Sequence, residues 1–213
     1  GRPAGVIDPA DRVLPWRPEA DAARRAFIPK MIPPASLAYV EKAARCVLPG
    51  PLEADDRHPY QIIQRPGYFV MMYEYNHVTR VIPTDGRAHV GSNVRLFMGD
   101  PVGHWEGETL VVDVTGFNDQ SWFDRAGNFH SDALHVVERY RRASPDVITY
   151  EATIEDPKVF TRPWKISMPL YRRQEKNAQI LEFKCVEFVE ELMYGQWRKS
   201  PLDRGYTLAS IKE

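Results

Sequence analysis

His130, Asp124, Glu74 and Glu138 are the residues whose types and surroundings suit proton transfer in this chain. His130, in "NFHSDALH", stands at the end of a loop just before a strand-like run, where a sheet could aim its imidazole into a cavity. Asp124 is placed to orient it, and Trp122 and Phe129 are placed to wall a pocket. Strict alternation puts Glu74 on one face with Val70, Met72, Val78 and Arg80, and Glu138 on one face with Leu134, Val136 and Tyr140. Asp113 shares its face with Val111, Thr109 and Thr115. A carboxyl group on an apolar face is either driven towards its neutral form or held ionised by a cation, and both states serve acid–base chemistry. Arg80 would hold an anionic group or a developing oxyanion, and Tyr73 would donate a hydrogen bond. The alternative is structural: Glu74 paired with Arg80, or Glu138 with Arg139, as buried ion pairs.

Other chemistries lack their patterns. His58, His77, His89 and His104 are scattered, and His130 and His135 lie at an odd spacing that puts them on opposite faces of an extended strand. No metal site and no cofactor are expected, since HExxH, glycine-rich phosphate loops and the GxSxG elbow are all missing. Tyr68, Tyr73, Tyr75, Trp105, Trp122, Phe123, Phe129, Tyr140, Tyr150 and Trp164 concentrate aromatic surface in the strand-rich region, so a ligand would be a small hydrophobic or aromatic molecule.

Positioning such groups requires a sheet. Strands are predicted near 60–65, 68–75, 78–83, 108–115, 134–142, 147–155, 165–172 and 179–187, with "ASPD" joining 134–142 to 147–155 as a hairpin. The absence of regular intervening helices favours an antiparallel barrel or strongly curved sheet. Residues 1–35 hold seven prolines and read as an extended arm, 36–46 as a short helix capped by Ser36, 60–187 as the β core and 188–213 as a C-terminal tail with a second short helix, all in a single domain spanning 1–213. An arm of this kind suits a homodimer in which it embraces a second subunit.

A chain of 213 residues with 43% hydrophobic and 27% charged residues is long and apolar enough to bury a sizeable core. Its formal net charge of -1 gives no footprint for nucleic acid. No run approaches the roughly 18–20 apolar residues of a membrane span, so no membrane insertion is expected. Cys46 and Cys185 form either one disulfide or two buried thiols.

The stretches "TDGRAH", "GHWEGETLVVDVTGFND", "HSDALHVVERY" and "TIEDPKVFTRPW", in this order, resemble a group of mostly uncharacterised bacterial proteins, many of them exported, that share a WEG(D/E)TLVV core and a later ER(F/Y) pair. The resemblance spans roughly residues 60–187. It implies a β-rich, lipocalin-like fold and an oxidising location, periplasmic or secreted rather than cytoplasmic, and brings no activity with it. Trp105, Glu106 and Gly107 are read as a tight turn whose Trp plugs one barrel end.

Together these observations predict a mainly β, lipocalin-like barrel enclosing a small hydrophobic or aromatic molecule. The expected activity is a cofactor-independent lyase or isomerase in which His130 moves a proton, Asp124 orients it and Glu74 or Glu138 is the complementary acid. A non-catalytic binding protein and a hydrolase are the alternatives.

Overall fold

Period-two burial runs through the central strands. In β6 (Thr109–Thr115) Leu110, Val112 and Val114 are buried; in β7 (His135–Ser144) Val136, Glu138 and Tyr140; in β8 (Val147–Glu155) Tyr150, Ala152 and Ile154; in β9 (Trp164–Tyr171) Trp164 and Ile166. With β1 (Val6–Asp8) and β5 (Asp100–Glu106) they form a six-stranded antiparallel sheet of order β1-β9-β8-β7-β6-β5. β2 (Tyr60–Arg65), β3 (Tyr68–Tyr73) and β4 (Thr79–Pro83) form a second antiparallel sheet. The computed structural model describes residues 5–189 apart from 33, 49, 51, 53–57 and 125.

The architecture is mainly β and antiparallel, as the turn-punctuated strands predict, and its two ladders do not close into one ring. Phe69, Met71, Tyr73 and Ile82 of the smaller sheet share one core with Leu110, Val112, Tyr140 and Tyr150 of the larger. At the junction the absence of a side chain at Gly103 lets β4 approach: a Cβ there would lie 2.9 Å from Ile82 Cγ2 and 3.2 Å from Thr84 Cγ2.

Several elements differ from the sequence expectation. The arm contains a ten-residue helix, α1 (Pro18–Phe27), with Pro at its start, Glu19 and Asp21 in the first turn and Arg24 and Arg25 in the last. Its apolar stripe is a weak one of Ala20, Ala23 and Phe27 in a mostly polar sequence, and proline density masked it. The arm packs on its own chain: β1 pairs with β9, Trp16 bridges Phe160, and Arg24 Nε donates to Asn128 Oδ1 at 2.8 Å. Residues 36–46 form two 3-10 turns, Leu37–Tyr39 and Lys42–Arg45, in place of one helix. Residues 179–187 form no strand. β5 was missed because Asp100, Pro101 and Gly103 are poor strand formers. Trp105 is 44% exposed, so it plugs nothing, while Gly107 at φ 58° makes the expected turn into β6.

Cys46 and Cys185 form a disulfide across 139 residues. Beside it Phe188 N donates to Ala44 O at 3.0 Å, and Leu181 N donates to Glu74 Oε2 at 2.9 Å. These contacts fasten the segment after β9 to the 3-10 region.

Candidate active site

The loop between β6 and β7 folds back on itself. Trp122 and Phe129 form an antiparallel bridge, and Phe123 N donates to Asn128 O at 2.8 Å. Asp124 holds the tip, its Oδ1 accepting from Ala126 N at 2.9 Å and Asn128 N at 3.2 Å, and its Oδ2 from Asn128 Nδ2 at 2.5 Å. With 122 opposite 129, residue 121 falls opposite 130. Ser121 Oγ accordingly lies 2.9 Å from His130 Nε2.

The tautomer follows from the other nitrogen. His130 Nδ1 lies 3.0 Å from Ser131 O, and a carbonyl only accepts, so Nδ1 carries the proton. Nε2 of the neutral ring then accepts the Ser121 hydroxyl proton. Burial pushes the His130 pKa down, opposed by the Ser131 carbonyl and the charges of Asp156 and Asp119. Ser121 is 1% and His130 4% exposed, so neither is solvated.

Around the pair, Gly50, Leu52, Trp122, Phe123, Leu134 and Val136 line a cavity of about 10 Å³, room for about one water molecule. Gly50 approaches so closely that a Cβ there would sit 3.1 Å from Ser121 Oγ. Phe117 and Phe123 flank the imidazole with ring centroids at 5.7 and 5.3 Å. The arrangement joins a hydroxyl nucleophile, a neutral base with a fixed tautomer and an apolar wall, which are the parts of nucleophilic catalysis.

A second polar cluster sits between the sheets. Arg80 Nη1 donates to Glu138 Oε1 at 3.0 Å, and Nη2 pairs with Glu138 Oε2. The Tyr140 and Tyr150 hydroxyls donate to Glu138 Oε1 at 3.1 and 3.0 Å. Burial alone would lower the Arg80 pKa, but the Glu138 carboxylate holds it well above its ordinary value. Arg80 Nε has no hydrogen-bond partner among the described residues. Tyr73 contributes to the field at Arg80, and its hydroxyl rests 3.5 Å from Met71 Sδ.

A third cluster lies half-exposed on the outer face of the larger sheet. His89 Nδ1 meets Asp100 Oδ2 and His89 Nε2 meets Asp113 Oδ1, both at 2.9 Å, while His135 Nε2 meets Asp113 Oδ2 at 2.7 Å. Burial works against the charge on His89, yet the bonds to Asp100 and Asp113 raise its pKa. No group of three or more His, Cys, Asp or Glu among the described residues is arranged to hold a metal ion.

The predicted residues thus do not share one place. His130 and Trp122 share the cavity, and Phe129 stacks outside it on Trp16 with centroids 5.6 Å apart. Glu138, Arg80 and Tyr73 meet in the core, and Asp113 faces outwards. Glu74 lies past the end of β3 because the chain turns through Asn76 and His77 at φ 51° and 53°, which breaks the assumed alternation; it binds Leu181 instead. Asp124 does not touch His130; the Ser131 carbonyl orients the ring. The ion pairs are exchanged relative to expectation: Arg80 takes Glu138, and Arg139 takes Glu106 at 2.5 Å. Ser121 was not anticipated, because its meeting with His130 depends on the 122–129 bridge, which carries no strand pattern.

The chain matches no protein-family model, and comparison with curated proteins and with solved structures returned no match.

Proposed function

We propose that this protein is a cofactor-independent acid–base enzyme acting on a small hydrophobic or aromatic molecule, and that its reaction is hydrolysis through Ser121. The observation that carries this reading is the 2.9 Å contact of Ser121 Oγ with Nε2 of a buried histidine whose Nδ1 proton is committed to a carbonyl. Ser121 Oγ attacks the acyl carbon as Nε2 takes its proton, and the imidazolium returns that proton to the leaving group. Water, activated by the same Nε2, then releases the acyl group and restores Ser121. Because the cavity takes about one water, substrate enters only when its apolar wall parts. A lyase or isomerase would need a complementary acid at His130, and Glu138 is held by Arg80 instead.

A lipocalin-like container built from the two curved sheets, and the exported bacterial family carrying the WEG(D/E)TLVV core, are part of the same proposal. The Cys46–Cys185 disulfide supports an oxidising location, periplasmic or secreted. A homodimer through the arm remains a proposal that gel filtration tests.

A fluorophosphonate ester is the direct probe: Ser121 Oγ displaces fluoride from phosphorus, and mass spectrometry locates the adduct. Adduct at Ser121, lost in Ser121→Ala and slowed in His130→Gln, is the expected result. A folded wild-type chain that gains no adduct and turns over no member of an aryl- and alkyl-ester panel would leave the second reading. That reading is a binding protein, favoured by the mutual pairing of Arg80, Glu138, Tyr140 and Tyr150.

A further inference from the structure

The histidine of a serine–histidine pair works best with a fixed negative charge behind it, to hold the tautomer and to stabilise the imidazolium that forms. Among the described residues no carboxylate touches His130 directly. One does hold the residue whose carbonyl His130 touches. Asp156 Oδ2 accepts from Ser131 N at 2.6 Å, and Asp156 Oδ1 accepts from Ser131 Oγ at 2.8 Å and Lys158 N at 3.1 Å. Ser131 O is the acceptor of the His130 Nδ1 proton.

The sheet explains the placement. β7 and β8 pair with His135 opposite Glu155, so Asp156, the first residue past β8, is delivered beside the approach to β7. Asp156 is 1% exposed, and no cation pairs with it among the described residues, since Lys158 Nζ goes to Asp132 at 2.6 Å. Its own carbonyl receives Val159 N and Phe160 N, at 3.0 and 2.7 Å, which fixes the turn that carries it. A buried carboxylate satisfied by two amides and a hydroxyl, with no counter-charge beside it, is a costly arrangement to keep for turn geometry alone.

We propose that Asp156 is the positioning carboxylate of the Ser121–His130 pair, acting through residue Ser131, so that hydroxyl, imidazole, the Ser131 residue and carboxylate form one relay. This rests on the catalytic reading of Ser121 and His130. The carboxylate clamps Ser131 by its amide and hydroxyl, which holds the carbonyl of the same residue in place as the acceptor for Nδ1–H, and its charge offsets part of the burial cost of the imidazolium. Asp119, in the loop after β6, acts on His130 in the same sense. Lys42, whose own pKa burial and the neighbouring Arg45 charge lower, places its ammonium 5.3 Å from the Trp122 ring.

The test is side-chain NMR of His130 in the whole chain, which needs no substrate. Asp156→Asn keeps the shape and removes the charge, and the His130 titration midpoint should fall by roughly half a unit to one unit with the Nδ1–H tautomer kept. Ser131→Ala, which keeps both backbone hydrogen bonds of residue 131, should move it less. In the unaltered protein the Ser131 amide proton should titrate with the same midpoint as His130. That measurement stands even if Asp156→Asn does not fold. An unmoved midpoint in folded Asp156→Asn, or a Ser131 amide blind to His130, overturns the relay. A shifted midpoint in a protein that gains no Ser121 adduct keeps the relay and removes the hydrolase; adduct with an unmoved midpoint does the reverse. Where turnover is found, Asp156→Asn should lower kcat about tenfold or more with KM little changed, as expected for a charge felt in the transition state.

Discussion

Glu138→Gln isolates the charge at the centre of the fold. In the native protein Arg80 and Glu138 are 1% and 0% exposed, and the glutamate also receives two tyrosine hydroxyls. The amide retains an oxygen for Tyr140 and Tyr150 but leaves Arg80 buried without a counter-charge, which costs about 3–5 kcal/mol. Glu138→Leu also removes the acceptor from both hydroxyls, adding roughly 1 kcal/mol for each. Arg80→Met combined with Glu138→Leu removes both charges and should recover to within about 2 kcal/mol of the native chain. For a chain of this size about 1 kcal/mol moves Tm by roughly 2–4 °C, so Glu138→Gln should melt roughly 6–20 °C lower. Urea and thermal unfolding of Arg80→Met, of Glu138→Leu and of the double variant give the coupling directly. A Glu138→Gln loss below about 1 kcal/mol would mean that water reaches the pair; simple additivity in the cycle would mean that the two groups do not depend on each other.

Three further outcomes follow from the same geometry. The His89 pKa is raised above its ordinary 6.5, so its contribution to stability is fully present below that value and is lost as pH rises through the folded pKa; His89→Ala should abolish that slope in unfolding curves, and an unchanged slope would show that Asp100 and Asp113 do not hold it. Reduction of Cys46–Cys185 should cost about 2–5 kcal/mol and raise amide exchange at Leu181 and Phe188 first; uniform loosening of both sheets instead would show that the disulfide supports the whole core. Gly103→Ala should destabilise by about 1–3 kcal/mol, because its Cβ meets Ile82 at 2.9 Å; a neutral result in denaturant titration would mean that the sheet junction is looser than these distances.

What could be read without tertiary structure was whatever the backbone period encodes. β2 and β8 follow from their apolar runs and turn signals, and β7 follows from alternation closely enough to put Glu138 inside with Val136 and Tyr140, an inward placement that holds. Glu74 failed where a single turn at Asn76 and His77 broke the alternation, and α1 failed because its stability comes from Ala20 and Arg24 docking on the body. His130 could be singled out by residue type and by its position before a strand, but its partners could not.

The amino-acid sequence determined most of the central strands, the antiparallel class and the residues able to move protons, because those depend on local period, turn chemistry and side-chain type. Only the tertiary structure decided which of them meet. Arg80 lies 58 positions from Glu138, and Asp156 lies 25 from Ser131, so strand register and sheet stacking, set by burial of the whole core, choose those partners. Ser121 and His130 are nearer in the chain, yet they face each other only because one bridge between Trp122 and Phe129 fixes the register of a loop with no strand pattern of its own.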